Sequence, residues 1–95
     1  MKDDKNIYRP ELEEAILEKE SENGRFLILH NDEVNTFDFV IESLIKICKI
    51  DPIQAEQCTY LVHYKGKCDV KKGSFDDLRP LKEALIERGL NATID

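Results

Sequence analysis

The clearest signal along the chain is a change in hydrophobic period. Phe26-Leu27-Ile28-Leu29-His30 is a short, continuous apolar run bounded by turn-forming residues, the pattern of a buried strand. Asn31-Asp32-Glu33-Val34-Asn35 then predicts a loop, because Asn and Asp side chains bond readily to nearby backbone. From Thr36 the period becomes helical: Phe37, Val40, Ile41, Leu44, Ile45 and Cys48 share one stripe, with Asn35 or Thr36 as N-cap and Asp38 in the first turn. Asp51-Pro52-Ile53-Gln54 opens a second helix, with a capping Asp, a Pro where its missing N–H is harmless, and Gln at the capping-box position. Its expected inner face is Ala55, Cys58, Leu61 and Val62, and Lys65-Gly66 ends it.

A second strand is expected over Lys67 to Val70, followed by a turn at Lys71-Lys72-Gly73. Ser74 with Asp76 and Asp77 starts a third helix through Leu78, Leu81, Leu85 and Ile86, for which Pro80 predicts a late start or a bend. Arg88-Gly89 closes it, and Leu90 to Ile94 is the third strand. The resulting order, β-α-α-β-α-β, predicts an α/β (α+β) two-layer sandwich with a three-stranded antiparallel sheet on three helices. Residues 1–24 are charge-rich and end in Ser21-Glu22-Asn23-Gly24. They are expected to form a flexible extension, or a weakly docked helix carrying Tyr8, Leu12 and Ile16, ahead of a core domain at 25–95.

Composition narrows the function. The 95 residues make one domain, with 41% apolar residues for a core and 36% charged ones for a wet surface. No apolar run approaches the roughly 20 residues of a membrane span, and no secretory leader is expected, so a cytoplasmic address and no membrane partner follow. A net charge of −6 without a Lys/Arg cluster argues against nucleic acid and favours a cationic ligand. Cys48, Cys58 and Cys68 are spaced ten apart and match no metal or redox motif. Cys48 and Cys58 are expected to be small buried hydrophobes.

Two sites place polar groups where apolar elements end: Asn31-Asp32 with Glu33 after the first strand, and His63 beside Val62 on the second helix. Alone, each has a plain reading, a turn in one case and a surface histidine in the other. No nucleophile elbow is present, and His30, His63 and Asp32 lack the spacing of a metal site. Neither catalysis, nor a metal, nor a cofactor is therefore expected, and His30 is assigned a structural role at the strand end.

Together the motifs are more specific. Leu29-His30-Asn31-Asp32-Glu33-Val34-Asn35-Thr36-Phe37-Asp38-Phe39-Val40 resembles the signature of the ClpS adaptor family. A second part of that signature appears as Ala55 and Gln57 followed by Leu61-Val62-His63-Tyr64-Lys65-Gly66-Lys67. The resemblance covers about residues 25–95. It implies a non-enzymatic, monomeric adaptor for N-degrons, proteins with a bulky hydrophobic first residue and a free α-amino group. Such an adaptor hands its cargo to the N-terminal domain of a Clp AAA+ unfoldase of the ClpA or ClpC type, which works with the ClpP peptidase. By the same resemblance Asn31, Asp32 and His63 hold the α-amino group, and Leu29, Asn35, Phe37, Val40, Thr59, Val62 and Leu90 form the side-chain pocket. Asp76, Asp77 and Lys82 are candidates for docking to the unfoldase.

The chemistry suits these residues. A peptide α-amino group, with a pKa of about 7.7–8.0, is an ammonium with three donors near neutrality. An Asn carbonyl, a carboxylate and an imidazole nitrogen can accept from three directions, at about 1.5–3 kcal/mol for each charge-assisted bond. Burying a Leu or Phe side chain adds about 1.5–3 kcal/mol, so micromolar to sub-micromolar affinity is expected. Phe37 and Thr59 stand where the family often carries Met, which predicts a shifted ranking among Phe, Tyr, Trp and Leu first residues. Two alternatives remain from the residues alone: an interaction module that uses an exposed helix face of the same fold, and a small metal-dependent hydrolase.

Overall fold

The computed structural model describes residues 24–95. The elements are β1 (Arg25–His30), α1 (Phe37–Cys48), α2 (Pro52–Lys65), β2 (Lys67–Gly73), α3 (Phe75–Glu87) and β3 (Asn91–Ile94). The expected extension, with Tyr8, Leu12 and Ile16, lies outside the described residues. The expected order of elements is the observed one. The sheet runs β2-β1-β3 with both pairings antiparallel, so the first strand is central and the three helices form the second layer.

Local chemistry sets the helix ends. Thr36 Oγ1 accepts from the Phe39 N–H at 3.2 Å, Asp51 Oδ2 from the Gln54 N–H at 3.1 Å, and Ser74 Oγ from the Asp77 N–H at 3.1 Å. Each takes up one of the N–H groups that a helix start leaves without an intrahelical partner. α2 ends at Gly66, whose φ of 95° is open to glycine at little cost, and α1 ends on Lys49 in the same left-handed region, φ 59°.

The core is one cluster. Leu27 and Leu29 of β1 meet Val40, Leu44 and Cys48 of α1, Ala55, Cys58 and Val62 of α2, Val70 of β2, Leu78 and Leu85 of α3, and Leu90 and Ala92. Ser43 is also fully buried in α1; its hydroxyl donates to the Phe39 carbonyl at 2.8 Å and accepts from Arg88 Nε at 2.9 Å. That satisfied pair joins α1 to the end of α3, which is why a serine can occupy the stripe.

Five expectations need correction. Lys71-Lys72-Gly73 is strand, not turn: β2 continues to pair with Leu27, Phe26 and Arg25 after a register shift between Leu27 and Ile28. This irregularity lets Val70 enter the core while Lys71 Nζ reaches the Cys48 carbonyl at the C-terminal end of α1, 3.2 Å away. α3 begins at Phe75 and runs on through Pro80, because Ser74 caps it early enough to secure the first turn. β3 starts at Asn91, with Leu90 buried in the preceding link.

On α2 the buried face is Ala55, Cys58, Thr59 and Val62, whereas Leu61 is 44% exposed. The spacing i, i+3, i+4, i+7 excludes position 61, and the Thr59 hydroxyl is satisfied by donating to the Ala55 carbonyl at 2.8 Å. Finally, Cys58 is buried as expected but is not a free hydrophobe: it is disulfide-bonded to Cys68, leaving Cys48 free among the described residues. The turn at Gly66 folds β2 back beside α2, so residues ten apart in sequence bring their Cα atoms to 5.7 Å.

Candidate functional site

The site forms where β1 runs out. The Asn31 N–H donates to the Gly66 carbonyl at 2.9 Å, tying the end of β1 to the cap of α2 and bringing Asn31 to the helix turn that carries His63. The loop that follows is built around Asp32. Its Oδ1 accepts from the Val34 and Asn35 N–H groups, both at 2.8 Å, and its Oδ2 accepts from Asn35 Nδ2 at 3.0 Å. The same Asn35 amide donates to the Gly89 carbonyl at 3.0 Å, which joins the loop to the end of α3 and leaves Oδ1 as the amide's remaining acceptor.

Partial burial alone would raise the Asp32 pKa. The bonds from the Asn35 backbone, the Asn35 side chain and the Val34 backbone outweigh it, so the carboxyl is held below its ordinary value and stays ionised. A carboxylate has about four lone-pair sites, and three bonds are made here. Asp32 is therefore first the organiser of its loop, with capacity left for a further donor.

All ten residues assigned to the ligand site line a single hollow between the sheet and the helices. Leu29, Val40, Thr59, Val62 and Leu90 are buried and form its floor and walls; Asn31 and His63 are exposed at its rim, with Asp32, Asn35 and Phe37 half-buried. His30 lines it too, but its Nε2 lies 2.7 Å from Thr93 Oγ1, in keeping with a structural role. The enclosed space is about 30 Å³, and a shallower groove of about 370 Å³ adjoins it, sharing Asn31, Asp32, Asn35, Phe37 and His63. The chemistry is graded, with apolar walls below and hydrogen-bond acceptors above.

Sequence reasoning did not identify the aromatic cluster at the rim. Phe37 meets Tyr60 edge-on with ring centroids 5.0 Å apart and His63 at 5.2 Å; Tyr64 meets His63 at 5.0 Å. The signal was present in the i, i+4 spacing of Tyr60 and Tyr64 around His63. Asp76, Asp77 and Lys82 belong to α3 and none of them lines the hollow. Lys82 instead borders an open depression with Pro80, Glu83, Ala84, Ile86 and Glu87. Among the described residues no group of three or more His, Cys, Asp or Glu is placed to hold a metal ion, and no helix is long and apolar enough to cross a membrane.

The model of the family described as ATP-dependent Clp protease adaptor protein ClpS matches residues 20–93. This chain belongs to the ClpS family. The matched span contains both motifs, Leu29–Val40 and Ala55–Lys67, and every residue that lines the hollow. Among solved structures the fold is similar to that of Agrobacterium tumefaciens ClpS2 bound to L-phenylalaninamide. The TM-score is 0.68 at 21% identity, over 75% of this chain and 93% of the other. At that identity the likeness speaks for a ClpS fold.

Proposed function

We propose that this ClpS-family chain is a monomeric, non-catalytic adaptor that binds N-degrons and delivers the attached protein to a Clp AAA+ unfoldase working with ClpP. One observation supports this above the others: an apolar hollow with three acceptor-bearing residues at its mouth, Asn31 and Asp32 from the loop after β1 and His63 from α2. Such a mouth suits an ammonium, and such walls suit a bulky apolar side chain. A first residue presents both, one bond apart from its own Cα. The solved relative, ClpS2, holds L-phenylalaninamide, a ligand with the same pair of groups.

Entry requires movement. Roughly 150 Å³ is enough for a dry cavity to take up benzene, and the enclosed space here is about 30 Å³. Phe37 is the wall residue with freedom to swing, since it is half-buried and rests on Tyr60 and His63 by edge contacts. Delivery is assigned to other surfaces: Asp76, Asp77 and Lys82 on α3, and the extension 1–24, whose removal should spare peptide affinity and slow degradation.

The deciding experiment is a fluorescence titration with a peptide beginning in Phe, beside its N-acetylated twin. The free peptide should bind in the micromolar to sub-micromolar range and the acetylated one at least tenfold more weakly, since it has lost at least one charge-assisted bond of about 1.5–3 kcal/mol. Equal binding would favour the other reading, an interaction module using a helix face. That reading has its own support in the exposed Ile53, Tyr60, Leu61 and Tyr64 along α2.

A further inference from the structure

We propose that Cys58 and Cys68 are a reversible redox site, a disulfide that clamps two walls of the binding hollow together and tightens peptide binding when it forms. The tightening rests on the amino-terminus reading above. Cys58 immediately precedes Thr59, a wall residue on α2, and Cys68 is the register partner of Leu29, a wall residue on β1. The covalent ring from 58 to 68 encloses Thr59, Val62, His63 and the Gly66 carbonyl that holds Asn31. One bond thus fixes the helix that carries Thr59, Val62 and His63 against the sheet that carries Leu29 and leads into Asn31 and Asp32. The Cα separation of 5.7 Å falls where disulfides form without backbone movement.

The two sulfurs are unequal in a useful way. Cys68 is half-buried, whereas Cys58 is 3% exposed. With a low-molecular-weight disulfide such as oxidised glutathione as oxidant, the Cys68 thiolate attacks one glutathione sulfur and expels the other glutathione as thiolate. Cys58, deprotonated, then attacks the Cys68 sulfur of the mixed disulfide and expels the second glutathione. Two protein thiols are oxidised to one S–S bond, two protons are released, and one small disulfide is reduced to two thiolates. Cys48 stays out of this exchange. It is 1% exposed, and burial pushes its thiol up to about 11 in spite of the nearby Lys71 ammonium, so little thiolate is available.

The test uses the full chain equilibrated with oxidised or with reduced glutathione, its thiols counted by alkylation and mass spectrometry, and a fluorescent peptide beginning in Phe as ligand. Of the three cysteines, oxidation should leave only Cys48 alkylated and reduction should expose all of them. The oxidised form should bind roughly three- to tenfold more tightly, because a wall fixed in advance costs less to order on binding. It should also melt roughly 10 °C higher, the disulfide restricting the unfolded chain. Cys68→Ser should bind like the reduced form and ignore the oxidant, while Cys48→Ala should respond as the wild type does. Three free thiols after oxidation would overturn the clamp, and equal affinity in both redox states would overturn the tightening alone. Loss of peptide binding in both states would overturn the amino-terminus reading, and the tightening with it.

Discussion

α1 and α2 start alike and diverge inward. Both open on a side-chain oxygen that accepts from the third residue on, Thr36 in one and Asp51 in the other. Both close on a left-handed cap, Lys49 and Gly66. In α1 the apolar residues gather on one side, with Val40, Leu44 and Cys48 buried and Phe39, Ile41, Ile45 and Ile47 packed against the core. In α2 they fall on both sides. Ala55, Cys58 and Val62 are inside, while Ile53, Tyr60, Leu61 and Tyr64 face out. α1 lends Phe37 and Val40 to the hollow yet keeps its pattern clean, because its remaining apolar residues pack on the core; α2 spends apolar residues on an outer face where burial does not repay them.

The widest contrast is expected in stability. Leu44→Ala removes a side chain with no exposure from the middle of α1 and should destabilise the fold by about 2–5 kcal/mol, because the cavity can collapse only partly. Leu61→Ala on α2, at 44% exposure, should change stability by no more than about 0.5 kcal/mol. Urea melts of the two variants compare the helices directly. Similar losses for both would mean that the outer face of α2 is a second core surface.

Binding should reverse the order. His63→Ala leaves the core untouched, since the residue is exposed, yet it removes an acceptor from the rim. Affinity for a peptide beginning in Phe should fall about 10- to 100-fold, the equivalent of one charge-assisted bond at about 1.5–3 kcal/mol. The melting temperature should stay within error. A His63→Ala variant that binds as tightly as the wild type would move the recognition surface away from α2's last turn.

These two expectations also mark how far the sequence could be followed. Element order, the Asp51 and Ser74 helix starts, the α1 cap to within Asn35 or Thr36, and the α1 stripe were legible because they depend on neighbours within about four residues, where period and capping chemistry operate. Asn31-Asp32 and His63 stood out singly, but the ten residues that line the hollow were assembled into one set only through the resemblance. Asn31 and His63 come from opposite ends of the α-helical pair, and no local pattern joins them until the Asn31–Gly66 backbone bond does. Leu61 was misplaced on the inner face because α2 offers apolar residues on both sides, and Thr59 was not seen as part of that face because its hydroxyl hides behind the Ala55 carbonyl. The Cys58–Cys68 pair escaped for another reason. A spacing of ten is silent until Gly66 is known to fold β2 back along α2. The continuation of β2 past Val70 needs the partner strand, which the Lys71-Lys72-Gly73 composition does not announce.

A gentler comparison lies in pH, which separates the rim from the walls. The Asp32 carboxyl lies below its ordinary value of 3.8 because its loop donates to the ionised form. Its contribution to stability is thus fully present above that ordinary value and is lost as pH falls through the lowered folded value. On the ligand side, the α-amino group loses its proton above about pH 8. Peptide affinity should therefore decline above about pH 8, and the acid decline in stability should be shallower in Asp32→Asn than in the wild type. Guanidinium melts at acid pH and titrations at alkaline pH measure the two limbs separately. An affinity that is flat across the alkaline limb would remove the ammonium from the recognised set.

The finest effect concerns the mouth, where α1 and α2 meet across Phe37 and Thr59. The Phe37 ring is rigid in itself and can leave its edge contacts with Tyr60 and His63 only by swinging as a unit; Thr59 is 3% exposed, with its hydroxyl spent on the Ala55 carbonyl, so it presents chiefly a methyl group to the hollow. Methionine has three rotatable side-chain bonds and a polarisable sulfur, so it adapts to different guests at modest cost. Phe37→Met should ease entry and Thr59→Met should fill space, each shifting affinities among Phe-, Tyr-, Trp- and Leu-first peptides by about 1 kcal/mol, or roughly fivefold. The two changes should act in opposite directions on the largest guest: Trp gains from a wider entrance and loses from a shallower floor. Four peptides differing only in residue one, titrated against both variants and the wild type, resolve this. An unchanged ranking in both variants would show that the guest is sorted deeper in the hollow, by Leu29, Val40 and Leu90, and that the mouth only admits it.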